Sequence, residues 1–224
     1  MRRREFISLL GGAAAWPITA RAQQPAMPEV GFLSSRSPGE SSGVLAAFYQ
    51  GLREAGFIEG KNVLIAFRWA EGRYDRLPAL AADLISLPVT ALFTAGGAAS
   101  ALAAKAATST IPIVFSAVNE PVQLGLVVSL SRPGGNVTGI STFAAELWAK
   151  SAELLKELVP SATVIAYLMN PSSPSAERYL SGAAIAASTL GIDVRVLTAG
   201  TEQESLPRCQ TCAPVDLSCL TNHS

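Results

Sequence analysis

The chain has 224 residues, 49% of them hydrophobic and 15% charged, and its 17 Lys and Arg residues balance its 17 Asp and Glu residues. This length predicts one large domain or two small ones. Without a surplus of basic residues the chain lacks the electrostatic footprint of a nucleic-acid-binding protein, so we expect no nucleic-acid partner.

The first 22 residues have the three parts of a secretory signal peptide. Arg2, Arg3 and Arg4 form a positive start, residues 6–18 are mostly apolar, and residues 20–22 supply small residues for a signal peptidase. We therefore predict a signal peptide at 1–22, a mature chain from Gln23, a periplasmic location and no membrane span after cleavage. The pair Arg3-Arg4 favours the twin-arginine route, and general secretion is the alternative.

Short apolar strands alternate with helical patterns through residues 23–141. Strands are predicted at 30–33, 63–67, 89–94, 111–117 and 137–141, and helices at 44–55, 77–87, 98–107 and 122–130. Nearly continuous apolar strands separated by helices indicate a doubly wound parallel sheet. The predicted fold class is α/β, with residues 23–141 as an N-terminal lobe.

A second α/β unit is predicted at 142–200. Helices are expected at 145–159 and 175–190, and strands at 163–169 and 192–198. The inner face of the first helix is predicted to carry Leu147, Ser151, Leu154, Leu155 and Leu158. With only two strands, this lobe would be incomplete and would have an exposed sheet edge.

Residues 201–224 lose the periodicity of the preceding chain, which predicts an atypical, disordered tail. All three cysteines and the only histidine lie here. Cys209, Cys212, Cys219 and His223 are residue types that bind zinc. The segment is short and unlike the rest of the chain, so we predict no metal site and no cofactor.

Ligands of open α/β sheets bind beyond the carboxyl ends of the strands. The residues at those ends are neutral or acidic and rich in hydroxyl groups: Ser34, Ser35, Thr94, Gly96, Gly97, Ser116, Asn119, Glu120 and Asn170. They predict hydrogen bonds to a small polar ligand, with its carboxylate at the amide groups of Gly97 and Ala98. Turn formation and helix capping are the alternative role for each of them.

No catalytic nucleophile paired with a general base is evident among these residues, and residues 23–200 contain neither His nor Cys. We therefore predict a binding protein and not an enzyme. An exported α/β enzyme acting on a small substrate remains the alternative.

Six segments resemble one bacterial family: residues 48–63 (FYQGLREAGFIEGKNV), 68–72 (RWAEG), 111–115 (IPIVF), 121–122 (PV), 125–141 (GLVVSLSRPGGNVTGIS) and 168–171 (LMNP). The chain resembles the substrate-binding proteins of ABC transporters, in particular the tryptophan/tyrosine importers. The resemblance runs from Met1 to about Thr201.

This resemblance implies a type I periplasmic binding fold, with sheet order 2-1-3-4-5 in each lobe and a ligand held between the lobes. It also implies capture of a small polar solute such as an amino acid, delivery to an ABC permease in the inner membrane, and a monomer. Asn119-Glu120 departs from the Gly-Asp pair that is common before Pro121. Family members continue beyond the end of this chain, so we expect a truncated second lobe, and a nonfunctional fragment is a further alternative.

Overall fold

A computed structural model describes residues 27–142, 144–200, 204 and 219–221. The predicted signal peptide lies outside the described residues, as does most of the predicted tail. Within the described part of the chain, no helix is both long enough and apolar enough to cross a lipid bilayer.

The first lobe is a five-stranded parallel sheet with helices between its strands. Its strands are β1 (Glu29–Ser34), β2 (Leu64–Trp69), β3 (Val89–Ala95), β4 (Ile113–Asn119) and β5 (Val137–Thr142), and its helices are α1 (Ser42–Glu54), α2 (Leu77–Ser86) and α3 (Ala98–Ala107). The strand order is β2-β1-β3-β4-β5, and every pairing is parallel. This confirms the predicted fold class and, for this lobe, the order that the family resemblance implies.

Aliphatic side chains fill the space between the sheet and helices α2 and α3. Leu84, Leu92, Ile113 and Val118 are at most 1% exposed and belong to one cluster. A Cβ atom at Gly31 would lie 2.5 Å from the side chain of Leu92 in β3 and 3.3 Å from that of Leu84 in α2, so glycine permits the close packing there. This core fixes the strand ends from which the site is built.

Aromatic rings cover the opposite face of the sheet beneath α1. The Phe32 ring lies 5.3 Å from the rings of Phe48, Trp69 and Phe93, measured between centroids. No side chain of α1 is fully buried, although Phe32 beneath it is 0% exposed. Aromatic contacts of this kind therefore hold α1 on the sheet.

The helix predicted at 122–130 is absent from the described chain, which forms turns there. Pro121 O accepts hydrogen bonds from the amides of Leu126 and Val127 at 2.8 and 3.3 Å. Gly125 has a left-handed backbone, with φ of 67°. A left-handed residue interrupts the helical hydrogen-bond ladder, so this part of the prediction was wrong.

The second lobe contains helices α4 (Ala144–Leu158) and α5 (Ala176–Leu190) and strands β6 (Val164–Met169), β7 (Asp193–Thr198) and β8 (Cys219–Thr221). Its sheet has the order β7-β6-β8, and β8 pairs in parallel with Ala166–Leu168 of β6. The expectation of two strands was wrong, because residues of the predicted disordered tail supply a third. The remaining candidate zinc ligands lie outside the described residues.

Helix α4 buries a face that overlaps only in part with the one predicted. Leu147, Leu154 and Leu158 are 63%, 47% and 77% exposed, whereas Ala152 is fully buried and Leu155 packs on the same core. Leu154 and Leu155 are adjacent in the sequence and therefore lie on different sides of the helix, which gives it two apolar stripes. Packing against α5 selects the stripe that contains Ala152.

Candidate functional site

A cleft lies between the two lobes at the carboxyl ends of the strands. The empty space in this region is about 300 Å³, a volume that includes space open to solvent. Its lining residues come from both lobes: Tyr74, Gly96, Gly97, Ala98, Ala99, Ala117, Asn119, Ser173, Pro174, Ser175 and Tyr179. This is the edge of an open α/β sheet where ligands are expected to bind.

Gly96 and Gly97 bring the start of α3 to the cleft. Their φ angles are 80° and 95°, and Gly97 is the residue before the first turn of the helix. A Cβ atom at Gly96 would collide with Ser35 Oγ, which donates a 2.6 Å hydrogen bond to Gly96 O. Only glycine combines these backbone angles with this close approach, and the amides of the first turn lie at the cleft as a result.

A bulge at the end of β4 turns Asn119 toward the second lobe. The pairing of β4 with β5 changes register between Phe115 and Val118, and Ala117 has a φ of 54°. Phe115 and Val118 are both buried in the same core, although they are three residues apart. The extra residue shifts the alternation of the strand, which is how bulges re-aim side chains near functional sites.

Asn119 joins the two lobes through hydrogen bonds. Its Oδ1 accepts from Thr142 Oγ1 at 2.5 Å, and its Nδ2 donates to the hydroxyl oxygen of Tyr179 in α5. Thr142 is the last residue of β5, next to the point where the chain enters the second lobe. Asn119 therefore makes a contact across the cleft.

An ion pair joins the two lobes beside the cleft. Glu120 contacts the guanidinium of Arg178, and the two side chains are 30% and 43% exposed. Glu120 also has a left-handed backbone, with φ of 49°. Partial exposure limits the contribution of such a pair to stability, to roughly 0–1 kcal/mol.

Tyr74 supplies an aromatic ring on the first-lobe side. It opens the short 3₁₀ helix Tyr74–Arg76 that follows β2. Burial raises the pKa of the Tyr74 phenol, while the charge of Arg36 lowers the pKa and that of Glu40 raises it. The phenol is therefore neutral at physiological pH and can serve as a hydrogen-bond donor.

The second lobe contributes the loop between β6 and α5 and the first turns of α5. Ser173, Pro174 and Ser175 line the cleft, and Tyr179 follows one turn later with 6% of its surface exposed. Asn170 has a different place from the one predicted. Its Oδ1 accepts a 2.9 Å bond from the Ser172 amide and its Nδ2 donates to Gly200 O at 3.4 Å, so it shapes the loop.

Of the nine predicted site residues, the structure places Gly96, Gly97 and Asn119 in the lining of the cleft and Glu120 beside it. Ser34 and Ser35 are buried and bonded to Arg36 N and Gly96 O. Thr94 is 1% exposed and its hydroxyl has no partner among the described residues. Ser116 is half-buried on β4 and, like Thr94, outside the lining.

Sequence reasoning missed Tyr74, Ser173, Ser175 and Tyr179. The loops after β2 and β6 carry the first three, so a search several residues beyond each strand end would have found them. Tyr179 lies within a helix and gave no such signal.

The lining offers hydroxyl, amide and aromatic groups and the amides at a helix start, which suit a small polar molecule. Among the described residues, no group of three or more potential metal ligands is present.

Comparison with known proteins agrees with this geometry. The chain is 37% identical over 125 residues to a protein of Clostridioides difficile (strain R20291) named "Tyrosine-binding protein", an alignment that covers 56% of this chain and 35% of the relative. A conserved domain protein from Vibrio cholerae is 28% identical with a TM-score of 0.74, and covers 84% of this chain and 62% of its own.

A further solved structure, an ABC domain from Streptococcus pneumoniae in complex with L-Trp, is 24% identical with a TM-score of 0.70. The match covers 85% of this chain and 66% of that one, and it shows the shared fold alone. The chain thus spans about a third of the tyrosine-binding relative and less than two thirds of these two solved chains.

The family resemblance expected from the sequence is confirmed by a direct match. Residues 41–206 match the model of the family described as "ABC transporter substrate binding protein", which is a family of binding proteins and not of enzymes. The two-lobed α/β fold and the interlobe cleft are what such a protein needs to hold a solute. The chain therefore belongs to the ABC transporter substrate-binding protein family.

Proposed function

We propose that this protein captures a free amino acid in the cleft between its lobes. The observation that carries the proposal is the composition of the cleft, where the amide-rich start of α3 faces Ser173, Ser175 and Tyr179 of the second lobe. The tyrosine-binding relative supports an amino acid as the class of ligand.

The ligand carboxylate is proposed to bind the backbone amides of Gly97 and Ala98. The positive end of the α3 dipole favours an anion there, and the missing side chain of Gly97 leaves room for close approach. Because Asn170 is engaged by its own loop, we assign the second-lobe contacts to Ser173, Ser175 and Tyr179.

The ligand side chain is proposed to be aromatic. Tyr74 and Tyr179 line the cleft from opposite lobes, and the half-buried Tyr74 ring offers apolar surface to a flat side chain. Their hydroxyl groups add polar contacts at the rim of that surface. An aromatic amino acid would contact both the apolar ring surface and the hydroxyl groups, whereas a small aliphatic one would leave the ring surface uncovered.

We further propose that the protein acts in the periplasm as a monomer and delivers its ligand to an ABC permease of the inner membrane. Family membership supports the permease as partner. The signal-like segment at 1–22 supports export, although it lies outside the described residues. The cleft draws its lining from both lobes, which favours binding over the alternatives of an exported enzyme or a nonfunctional fragment.

Isothermal titration calorimetry on the chain from Gln23 onward tests the binding function. We expect L-tyrosine, L-phenylalanine or L-tryptophan to bind, and tyramine, which lacks the carboxylate, to bind at least tenfold more weakly than L-tyrosine. Maltose serves as a neutral solute control. No heat from any of the 20 common amino acids would contradict the proposal.

Cell fractionation tests the proposed location. We expect the mature chain in the periplasm and the double variant Arg3→Lys/Arg4→Lys as a precursor in the cytoplasm, because the twin-arginine pair is read as guanidinium groups. Normal processing of the double variant would instead assign the general secretory route, and cytoplasmic wild type would exclude export.

A further inference from the structure

Three side chains from three elements form one hydrogen-bonded chain at the cleft. Thr142 Oγ1 of β5 donates to Asn119 Oδ1 of β4, and Asn119 Nδ2 donates to the phenolic oxygen of Tyr179 in α5. Thr142 lies outside the lining of the cleft, whereas Asn119 and Tyr179 belong to it. We call these three residues the relay.

The direction of the relay determines what the Tyr179 hydroxyl offers. A phenol has one hydrogen to donate and oxygen lone pairs that accept. Because the Tyr179 oxygen accepts from Asn119, its own hydrogen remains for another acceptor. Among the described residues no acceptor takes that hydrogen, and the side chain borders the cleft.

We propose that the relay makes Tyr179 a hydrogen-bond donor to an oxygen atom of the bound ligand. Asn119 and Thr142 are positioning residues: Thr142 orients the amide, and the amide holds the phenol in its donor orientation. This assignment rests on the proposed function for its ligand. The coupling of the three residues does not, because it exists in the ligand-free protein.

The relay also connects the cleft to the crossing between the lobes. Thr142 is the last residue of β5, and α4 begins two residues later. A change in the path of the chain at this crossing therefore moves the first member of the relay. The pair Glu120–Arg178 is a separate contact between the lobes, made by the residues next to Asn119 and Tyr179.

The coupling is tested first without ligand. Hydrogen exchange is measured at the amides of α5 for Thr142→Val, Tyr179→Phe and the double variant. Each substitution removes a hydroxyl and keeps the shape of its side chain. We expect faster exchange in each single variant and no further increase in the double variant, because both changes cut the same chain. Thr142→Ser retains the hydroxyl and restores slow exchange, and Ser141→Ala is the matched control.

The donor role is tested by calorimetry with L-tyrosine. We expect Thr142→Val to raise the Kd about fivefold, the effect of one lost hydrogen bond, in the wild-type background and not in the Tyr179→Phe background. The variant Asn119→Asp distinguishes two roles of Asn119, orienting the Tyr179 hydroxyl and holding α5 against β4. Its carboxylate accepts the Tyr179 hydrogen, so exchange at α5 stays slow while the Kd rises at least fivefold.

Additive exchange effects, or exchange and Kd unchanged in Thr142→Val, would overturn the relay. Equal Kd values in Asn119→Asp and wild type would overturn the donor role alone. If wild type does not bind L-tyrosine, the proposed aromatic ligand and the donor role both fail, and the exchange measurements still decide whether the three residues act as one unit.

Discussion

Gly97 has backbone angles that few other residues adopt. Its φ of 95° and ψ of −165° fall in a region that is essentially restricted to glycine. Residues held in such conformations cluster at ligand sites, where the surrounding structure maintains them. At this position the conformation presents the first amides of α3 to the cleft without a side chain in the way.

The charge of the proposed ligand makes Gly97 the most informative position to change. Gly97→Ala introduces backbone strain of about 1–3 kcal/mol, and Gly97→Asp adds to it a negative charge where we place the carboxylate. We expect Gly97→Asp to bind L-tyrosine at least tenfold more weakly than Gly97→Ala in calorimetry. Equal affinity of the two variants would place the carboxylate elsewhere.

The stability of the first lobe is expected to depend, at high pH, on the ionisation of the Tyr49 phenol. Burial, the 2.7 Å hydrogen bond to Glu59 and the charge of Glu59 raise the pKa of Tyr49 to about 12. In the unfolded chain the phenol ionises at its ordinary pKa of about 10. Its contribution to the free energy of unfolding is therefore complete below about pH 10 and lost as the pH rises to about 12.

We expect urea unfolding between pH 9 and 12 to show a smaller loss of stability in Tyr49→Phe than in wild type. Glu59→Gln removes the charge and should lower the pKa of Tyr49 in absorbance titration of the phenolate. A Tyr49→Phe variant that loses stability over this range as steeply as wild type would contradict the assignment.

Between β4 and β5 the chain uses turns tied to a neighbouring helix. Lys105 Nζ of α3 donates to the carbonyl oxygens of Gly125 and Leu126, the latter at 3.2 Å. In a helix these carbonyl oxygens would accept hydrogen bonds from backbone amides further along the chain. Here the side chain of Lys105, 20 residues from Gly125 in sequence, supplies hydrogen bonds that the local backbone does not.

We expect Lys105→Met to lower the free energy of unfolding by about 1 kcal/mol and to speed hydrogen exchange at the amides of Leu126 and Val127. Met keeps the unbranched stem and removes the donors. Lys105→Arg retains donors and is the matched control. Exchange at these amides that is unchanged in Lys105→Met would show that Pro121 alone holds the turn.

The alternation of strands and helices could be predicted from the sequence because each buried strand is a short apolar run between turn residues. Two features of these elements could not be predicted in this way. Residues 122–130 are apolar enough for a helix, and only the left-handed Gly125 shows otherwise. The buried stripe of α4 depends on its packing against α5, which a helical pattern with two apolar stripes does not specify.

The site was predicted in part for a similar reason. Gly96, Gly97 and Asn119 follow from the rule about strand ends. Tyr179 lies 60 residues from Asn119, and their contact depends on how the lobes meet. The bulge at Ala117 breaks the alternation of β4 and re-aims Asn119, and it is visible only in the structure.

At the scale of the molecule, the two lobes differ in how completely their sheets are covered. The first sheet has five strands with a dense aliphatic core on one face and aromatic rings on the other. The second has three strands among the described residues, and its core cluster contains 9 buried residues, against 15 in the first lobe. Stability is therefore expected to be concentrated in the first lobe.

Hydrogen exchange on the mature chain measures this difference directly. We expect strong protection in the strands before Ser141 and weaker protection in β6 and β7. Deleting residues 205–224 removes β8 and should lower protection at Ala166–Leu168 of β6 further, while the first lobe keeps its own. Uniform protection across both lobes would contradict the expected imbalance.

The ion pair between Glu120 and Arg178 gives the contact between the lobes a component that responds to salt. Salt screens separated exposed charges over a Debye length of about 8 Å at 0.15 M and about 30 Å at 0.01 M. A partly buried pair in contact is screened less, and its contribution is only about 0–1 kcal/mol. We therefore expect added salt to weaken the contact between the lobes slightly, because the hydrogen bonds of Asn119 remain in place.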